Sequence, residues 1–206
     1  MVSDLESKVF ILEEHLDKTH EIRLDEFTHL RAYHACRPLE ISDYLKSGIK
    51  PINYDLALKD VKERIISAQI TEEKVVLILN DEWADLEDIH KRVWLQMNKE
   101  CLLTRAGHYL IYGSEFTNTV AMRLGCRDKL KKVGIPTIFY CNIPLEDISC
   151  GTVQDIEQCC NRGDIDDIAF SVKAVAPKHI VGYEHPKKAI PDPFNWGRNY
   201  EPDYSV

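Results

Sequence analysis

Side chains suited to chemistry stand close together in the segment Tyr33-His34-Ala35-Cys36-Arg37-Pro38. The residues from Thr28 to His34 alternate between two faces, which is the period of a β-strand. Pro38 has no backbone N–H and cannot continue a ladder, so the predicted strand ends there. The imidazole, thiol and guanidinium at this strand end are well placed to line a cleft. A Cys36–His34 nucleophilic pair is one possibility, and a small buried thiol is the more ordinary interpretation of Cys36.

Helices are predicted on both sides of this strand. After it, Ile41, Tyr44 and Leu45 recur at helical spacing, and Gly48 stands where a helix C-cap favours glycine. Before it, residues 4–17 predict an amphipathic helix with an apolar face of Leu5, Val9, Leu12 and Leu16. The polar strand end is therefore expected to run into a short helix that glycine closes.

Residues 53–100 are the most helical part of the sequence and predict a helical insertion. Asn53 and Thr71 are candidate N-caps, with Leu56, Val61, Ile65 and Ile66 directed inward. The run from Asp81 to Lys99 predicts the clearest helix. Its apolar stripe, which we interpret as core or cover, consists of Trp83, Leu86, Ile89, Val93, Trp94 and Met97.

Short strands and helices alternate from Ala106 onward. Strands are predicted over 109–112, 136–143, 168–175 and 179–183, and helices from Thr117 to Gly125 and from Thr152 to Gly163. The segment 136–143 is almost entirely apolar and is expected to be a central strand. The tail from about 186 to 206 is irregular, and we expect its aromatic residues to hold it against the body: Phe194, Trp196, Tyr200 and Tyr204.

Composition limits the classes of protein to consider. The chain has 206 residues with 44% apolar and 29% charged, an ordinary globular balance. This length predicts one domain over 1–206, and two small domains are also possible. A net charge of −8 without a basic run disfavours a generic nucleic-acid coat. No segment approaches the roughly 20 apolar residues that a membrane span needs, and the N-terminus lacks the pattern of a signal peptide. Seven scattered cysteines without Cys-x-x-Cys or zinc spacing predict reduced thiols, a cytoplasmic location and no metal.

The common nucleotide and hydrolase motifs are absent: Gly-x-Gly-x-x-Gly, the Walker loop, Gly-x-Ser-x-Gly and His-Glu-x-x-His. Three segments carry a pattern of another kind. The first is Tyr33–Arg37, followed by a helix and Gly48-Ile49. The second is Gly107-His108-Tyr109-Leu110, followed by Ser114 and a helix that contains Ala121. The third is Asp166-Asp167-Ile168, which leads to Ala176-Pro177-Lys178-His179-Ile180. Their order resembles the ADP-ribosyltransferase superfamily of the poly(ADP-ribose) polymerase type, which has a His-Tyr-Glu signature and is related to RNA 2′-phosphotransferases.

The resemblance implies an α+β fold in which split antiparallel β-sheets form a cleft, here with a helical insertion. It implies a glycosyltransferase reaction that moves ADP-ribose from NAD to an acceptor and releases nicotinamide. The acceptor, whether protein, nucleic acid or small molecule, is left open. In this scheme His34 binds the adenosine ribose, and the backbone of Ala35 binds the nicotinamide amide. Tyr109 stacks on nicotinamide, with Tyr112 as a competing candidate, and Ser114 supports the site.

Two positions add charge to this scheme. Arg37 could pair with a pyrophosphate or with a carboxylate such as Glu40. The family glutamate is replaced by Asp166, with Asp167 one residue away, and an aspartate is shorter by one methylene. Its role would be to stabilise the oxocarbenium-like charge as nicotinamide leaves, and Glu115 is another carboxylate that could act there.

Three further functions fit the same resemblance. NAD glycohydrolysis uses the same site. Removal of an RNA 2′-phosphate needs several basic residues around the cleft, for which the candidates are Arg31, Arg37, Arg105 and Arg123. A non-catalytic module that binds a nucleotide or a protein would also tolerate the missing glutamate.

Overall fold

The computed structural model describes residues 7–16 and 20–204 of the chain. The helix predicted over 4–17 falls partly outside this range, as does Leu5. Within it, that prediction is wrong, because Val9–Phe10 is a strand and Leu12–Glu14 a single 3₁₀ turn. The strand pairs in parallel with His29 and Leu30, so tertiary pairing overrides the local helical pattern.

The described chain contains eight strands and seven α-helices, with short 3₁₀ segments between them. The strands are β1 (Val9–Phe10), β2 (His29–Cys36), β3 (Val93–Gln96), β4 (Thr137–Pro144), β5 (Ala169–Val172), β6 (Ile180–Glu184), β7 (Ile190–Pro191) and β8 (Asn199–Tyr200). The α-helices are α1 (Ile41–Ser47), α2 (Tyr54–Ile65), α3 (Glu72–Ala84), α4 (Lys99–Thr104), α5 (His108–Tyr112), α6 (Glu115–Arg123) and α7 (Cys150–Arg162). This confirms the predicted mixture of helices with a mainly antiparallel sheet.

One six-stranded sheet, in the order β5-β3-β2-β4-β6 with β1 beside β2, organises the molecule. The sequence predicted a pair of small sheets, whereas the structure joins the strands into one sheet of two unequal parts. Strands β2, β4 and β6 form the larger antiparallel part, and β3 and β5 form the smaller one. The two parts meet at one residue pair, Tyr33 with Gln96. The β2–β3 ladder has no further residue pair in the described chain, and we call the end of this ladder the strand split.

Helices cover both faces of the sheet. On one face Leu30, Ala32 and Cys36 pack with the N-terminal segment and with residues of α1 and α7. On the other face Tyr33 and Ala35 pack with residues of α2, α3, α5 and α6. Alternate residues of β2 therefore belong to two different cores, as the period of a strand requires.

The predicted helical insertion is only partly present. Helix α2 begins after the N-cap Asn53, and α3 after the N-cap Thr71. The helix predicted over 81–99 is wrong, because a 3₁₀ turn follows α3 and β3 then occupies 93–96. The inward direction of Leu56 and Ile66 is also wrong, since both side chains are exposed.

Some predicted elements in the second half are also wrong or displaced. Residues 109–112 belong to a helix instead of a strand. Helix α6 is capped by Ser114 instead of Thr117, and α7 by Ser149 instead of Thr152. The predicted strands β4 and β6 are confirmed, and β4 is central as expected.

The first and third motif segments meet in space. Ile49 exchanges two backbone hydrogen bonds with Val175, of 2.9 and 2.8 Å. Gly48 ends α1 with a φ of +76°, and a Cβ there would lie 2.1 Å from the Val175 carbonyl oxygen. Only glycine fits this close approach.

The remaining global predictions have mixed outcomes. All seven cysteines are free thiols, as expected.

The tail docks through Tyr200, Tyr204 and Phe194, whereas Trp196 is 95% exposed, so that part of the docking prediction is wrong. Across residues 7–16 and 20–204, the structure contains no helix with the length and apolar character of a membrane span.

Candidate functional site

His34 lies at the strand split. Its Nδ1 is 2.9 Å from the backbone carbonyl oxygen of Trp94 on β3. A carbonyl only accepts hydrogen bonds, so Nδ1 carries the proton and Nε2 is the acceptor nitrogen. Desolvation lowers the pKa of the imidazole, although the hydrogen bond to Trp94 opposes this, and the ring is neutral at pH 7.

Trp94 supplies an aromatic ring beside the strand split. Its neighbours Val93 and Leu95 are buried, whereas the Trp94 side chain is 39% exposed. Because β2 and β3 are antiparallel and Tyr33 pairs with Gln96, Ala35 lies at the level of Trp94. The ladder does not extend to Ala35, which lies at the strand split.

Asp167 stands on the far side of β3, just before β5. Its carboxylate accepts a hydrogen bond of 2.7 Å from the Gln96 side-chain amide, and the Cys101 thiol is 3.6 Å from the same oxygen. Asp166 points elsewhere, because its carboxylate forms an exposed ion pair of 2.9 Å with Arg105. Of the two predicted carboxylates, only Asp167 is tied to β3.

A neutral imidazole, an exposed indole and a carboxylate thus lie on or beside three neighbouring strands. The imidazole leaves the sheet on the face of Leu30 and Ala32, whereas the indole leaves it on the face of Tyr33, because Val93, Leu95 and Met97 pack with Leu30 and Ala32. We define the split site as His34, Ala35, Trp94, Gln96 and Asp167. Such groups can bind a flat cationic ring, accept hydrogen bonds from ribose hydroxyls and stabilise positive charge.

Tyr109 lies away from His34. It packs on the face of the sheet that Tyr33 and Ala35 share, whereas His34 leaves β2 on the opposite face with Leu30 and Ala32. The predicted trio of His34, Tyr109 and Asp166 therefore does not converge.

Tyr109 has partners of its own. Its hydroxyl donates a hydrogen bond of 3.0 Å to Glu115, and His108 Nε2 is 3.3 Å from the same oxygen. The hydrogen bond from His108 lowers the pKa of Glu115 and outweighs the opposing effect of burial. Desolvation and the Glu115 charge raise the pKa of Tyr109. This cluster joins Tyr109 to the alternative carboxylate that the sequence indicated.

Arg37 is a structural residue. Only 4% of it is exposed, and it has no described contact with Glu40. Its guanidinium donates to the carbonyl oxygens of Leu110, Lys131 and Val133 and to the hydroxyl of Tyr200. These bonds use its donors on protein groups, so a pyrophosphate would have to displace them.

Tyr112 and Ser114 also serve the fold. Tyr112 is buried, and its hydroxyl donates to the two carboxylate oxygens of Asp192, at 2.7 and 2.8 Å. The Ser114 hydroxyl accepts a hydrogen bond of 3.2 Å from the Thr117 backbone and caps α6. Tyr112 therefore offers no open ring face for stacking.

Two further sites that the sequence left open are a nucleophilic pair of Cys36 with His34 and a basic cleft for removal of an RNA 2′-phosphate. The structure supports neither. Cys36 is buried, and burial raises the pKa of its thiol, which opposes a nucleophilic role. Arg31 donates to Asn142, and Arg123 pairs with acidic residues of α3. The four candidate arginines thus do not surround one cleft.

Sequence reasoning missed Trp94 as a site residue because it assigned the tryptophan to a helix. The signal was present, since Val93, Leu95 and Met97 alternate with Trp94 and Gln96 as residues of a half-buried strand do. Comparisons of the chain with family models, with curated proteins and with solved structures find no match.

Proposed function

We propose that the chain transfers ADP-ribose from NAD to an acceptor and that the split site binds the NAD. The observation that carries this proposal is the hydrogen bond from His34 to the Trp94 backbone where the β2–β3 ladder ends, with Asp167 held by Gln96 on the other side of β3. The ADP-ribosyltransferase fold is part of the proposal, and the mainly antiparallel sheet supports it, although it is one sheet where two were expected.

Each group of the split site has a role toward NAD. Trp94 takes the stacking role first assigned to Tyr109, because its exposed ring suits a cationic nicotinamide. His34 holds its proton on Nδ1 and keeps Nε2 free to accept from a ribose hydroxyl. The backbone of Ala35, beyond the end of the β2–β3 ladder, binds the nicotinamide amide.

Asp167 is the proposed catalytic carboxylate. It accepts from the ribose 2′-hydroxyl and stabilises positive charge on the ribose as the bond from C1′ to the nicotinamide nitrogen breaks. Nicotinamide leaves with the bonding electrons, and an acceptor nucleophile then bonds to C1′ and loses a proton. Gln96 is a positioning residue, since its amide holds the carboxylate at 2.7 Å.

A non-catalytic nucleotide-binding module is the second candidate. One observation favours it: the Asp167 carboxylate is already engaged by the Gln96 amide and lies close to the Cys101 thiol. A module of this kind would bind NAD through the same residues without breaking it.

Nicotinamide release by the purified chain tests the proposal. We expect Asp167→Asn to slow release by about 100-fold, as loss of one charge-stabilising group does, and Trp94→Ala to weaken NAD binding by about tenfold. The matched control Asp166→Asn should stay within about twofold of wild type, because its ion pair with Arg105 is exposed.

Two outcomes would count against the transferase. Equal rates for Asp167→Asn and wild type would remove the catalytic role. A rise in melting temperature with NAD, without release of nicotinamide, would establish the binding module instead.

A further inference from the structure

A second surface, remote from β3 in the sequence, presents aromatic rings to solvent. Strands β7 and β8 form a hairpin whose loop, 192–198, carries Phe194 and Trp196. The Phe194 side chain is 45% exposed, and that of Trp196 is 95% exposed. Tryptophan is highly buried on average, so an indole with 95% exposure is unusual.

The loop holds these rings in a defined position. The carboxylate of Asp192 is buried and accepts from the Tyr112 hydroxyl, from Lys131 Nζ at 2.9 Å and from the Phe194 backbone at 3.0 Å. Burial disfavours the charge on Asp192, but these hydrogen bonds more than offset it and lower the pKa. Two backbone bonds, Asn195 to Asp192 and Arg198 to Asn195, close the loop. Trp196 is therefore exposed from an ordered turn.

Positive charge lies beside the rings. The Arg127 guanidinium carbon is 4.2 Å from the centroid of the Phe194 ring. Arg127 begins the 3₁₀ segment Arg127–Lys132, which has four basic residues and one acidic residue. The buried Nε of Arg127 has no hydrogen-bond partner in the described protein. Four cations thus lie within six residues of a chain whose net charge is −8, and one of them, Lys131, pairs with Asp128 and Asp192.

A surface depression of about 650 Å³ continues this region. Arg127 forms part of its wall, together with Gln69, Gly125 and Lys129. The same guanidinium thus borders both the depression and the aromatic loop. We call the loop, the basic segment and the depression together the aromatic–basic surface.

We propose that the aromatic–basic surface binds single-stranded nucleic acid. Exposed rings stack on unpaired bases regardless of sequence, and adjacent cations neutralise the phosphates. A duplex hides its base faces, whereas a single strand offers a ring and a negative charge at every nucleotide, so it matches both the charge and the aromatic character. The inference is independent of what the split site binds.

Fluorescence anisotropy with the full chain tests this inference. The probes are a labelled oligothymidine of about 15 nucleotides, the same length of duplex and an abasic strand with the same phosphates, at about 50 mM salt. We expect the single strand to bind at least about tenfold more tightly than either other probe. Trp196→Ala should weaken that binding by about tenfold or more, since one stacking platform is lost.

The matched control is Leu77→Ala, which removes another exposed large apolar side chain, on α3. It should bind like wild type, and both variants should keep the wild-type melting temperature because neither side chain is buried. Equal binding by Trp196→Ala and wild type would overturn the inference. So would equal affinity for the abasic strand, which would show attraction to phosphate alone, or no binding of the single strand.

Discussion

At the scale of single residues, the tautomer of His34 is the feature with the most consequences. The carbonyl of Trp94 fixes the proton on Nδ1, and loss of water around the ring keeps the imidazole neutral. A neutral ring with a free Nε2 can accept from a hydroxyl, and a protonated ring cannot. The same hydrogen bond joins β2 to β3 where their ladder has ended.

The lowered pKa of His34 predicts a pH dependence of stability. As pH falls below about 6.5, the unfolded chain takes up the proton before the folded chain does, so the free energy of unfolding decreases. Above that pH the imidazole is neutral in both states and contributes nothing. We expect His34→Gln, which keeps a donor for Trp94, to lose less stability than wild type between pH 7 and pH 5 in urea unfolding.

His90→Gln is the control for this measurement, because His90 is an exposed residue. Its pH profile should follow that of wild type. Parallel profiles for His34→Gln and wild type would show that His34 has no part in the acid loss of stability.

At the scale of elements, β3 shows where local patterns mislead. Helix α3 ends at Ala84, and the apolar residues after it continue to fit a helical stripe as far as Met97. Four residues of strand alternation are too short to outweigh that stripe, and only pairing with β5 and Tyr33 selects the strand. Strands β2 and β4 were predictable because eight residues carry each pattern.

Arg37 joins several elements and should matter to stability. Its guanidinium ties the end of β2 to α5, to the 3₁₀ segment 127–132 and to β8. Arg37→Met keeps the length of the side chain and leaves several buried acceptors without a donor. We expect a loss of about 3 kcal/mol in the free energy of unfolding, measured by urea denaturation.

Arg162→Met provides the comparison for Arg37. The Arg162 side chain is 62% exposed, and its one described salt bridge, of 3.3 Å, is to the exposed Asp164. Its urea midpoint should match that of wild type. A midpoint for Arg37→Met that also matches wild type would show that the buried guanidinium does not hold these elements together.

At the scale of the whole molecule, the sequence predicted the components of the site better than their arrangement. His34, Ala35 and Asp167 were predicted from residue type and order; His34 and Ala35 lie at the strand split, and Asp167 lies on the far side of β3. Tyr109 was assigned to the same cleft, but which face of a sheet a helix covers depends on long-range packing that no local pattern records. The five residues of α5 are also too few to show a helical period.

The strand split is the central element of this account, because there a hydrogen bond from His34 to the Trp94 backbone links the two parts of the sheet. Hydrogen–deuterium exchange of the full chain with and without NAD tests this directly. We expect NAD to slow exchange in residues 33–36, 93–97 and 166–169 and to leave residues 108–115 unchanged. Protection confined to 108–115, around Tyr109 and Glu115, or no protection at the strand split, would contradict the account.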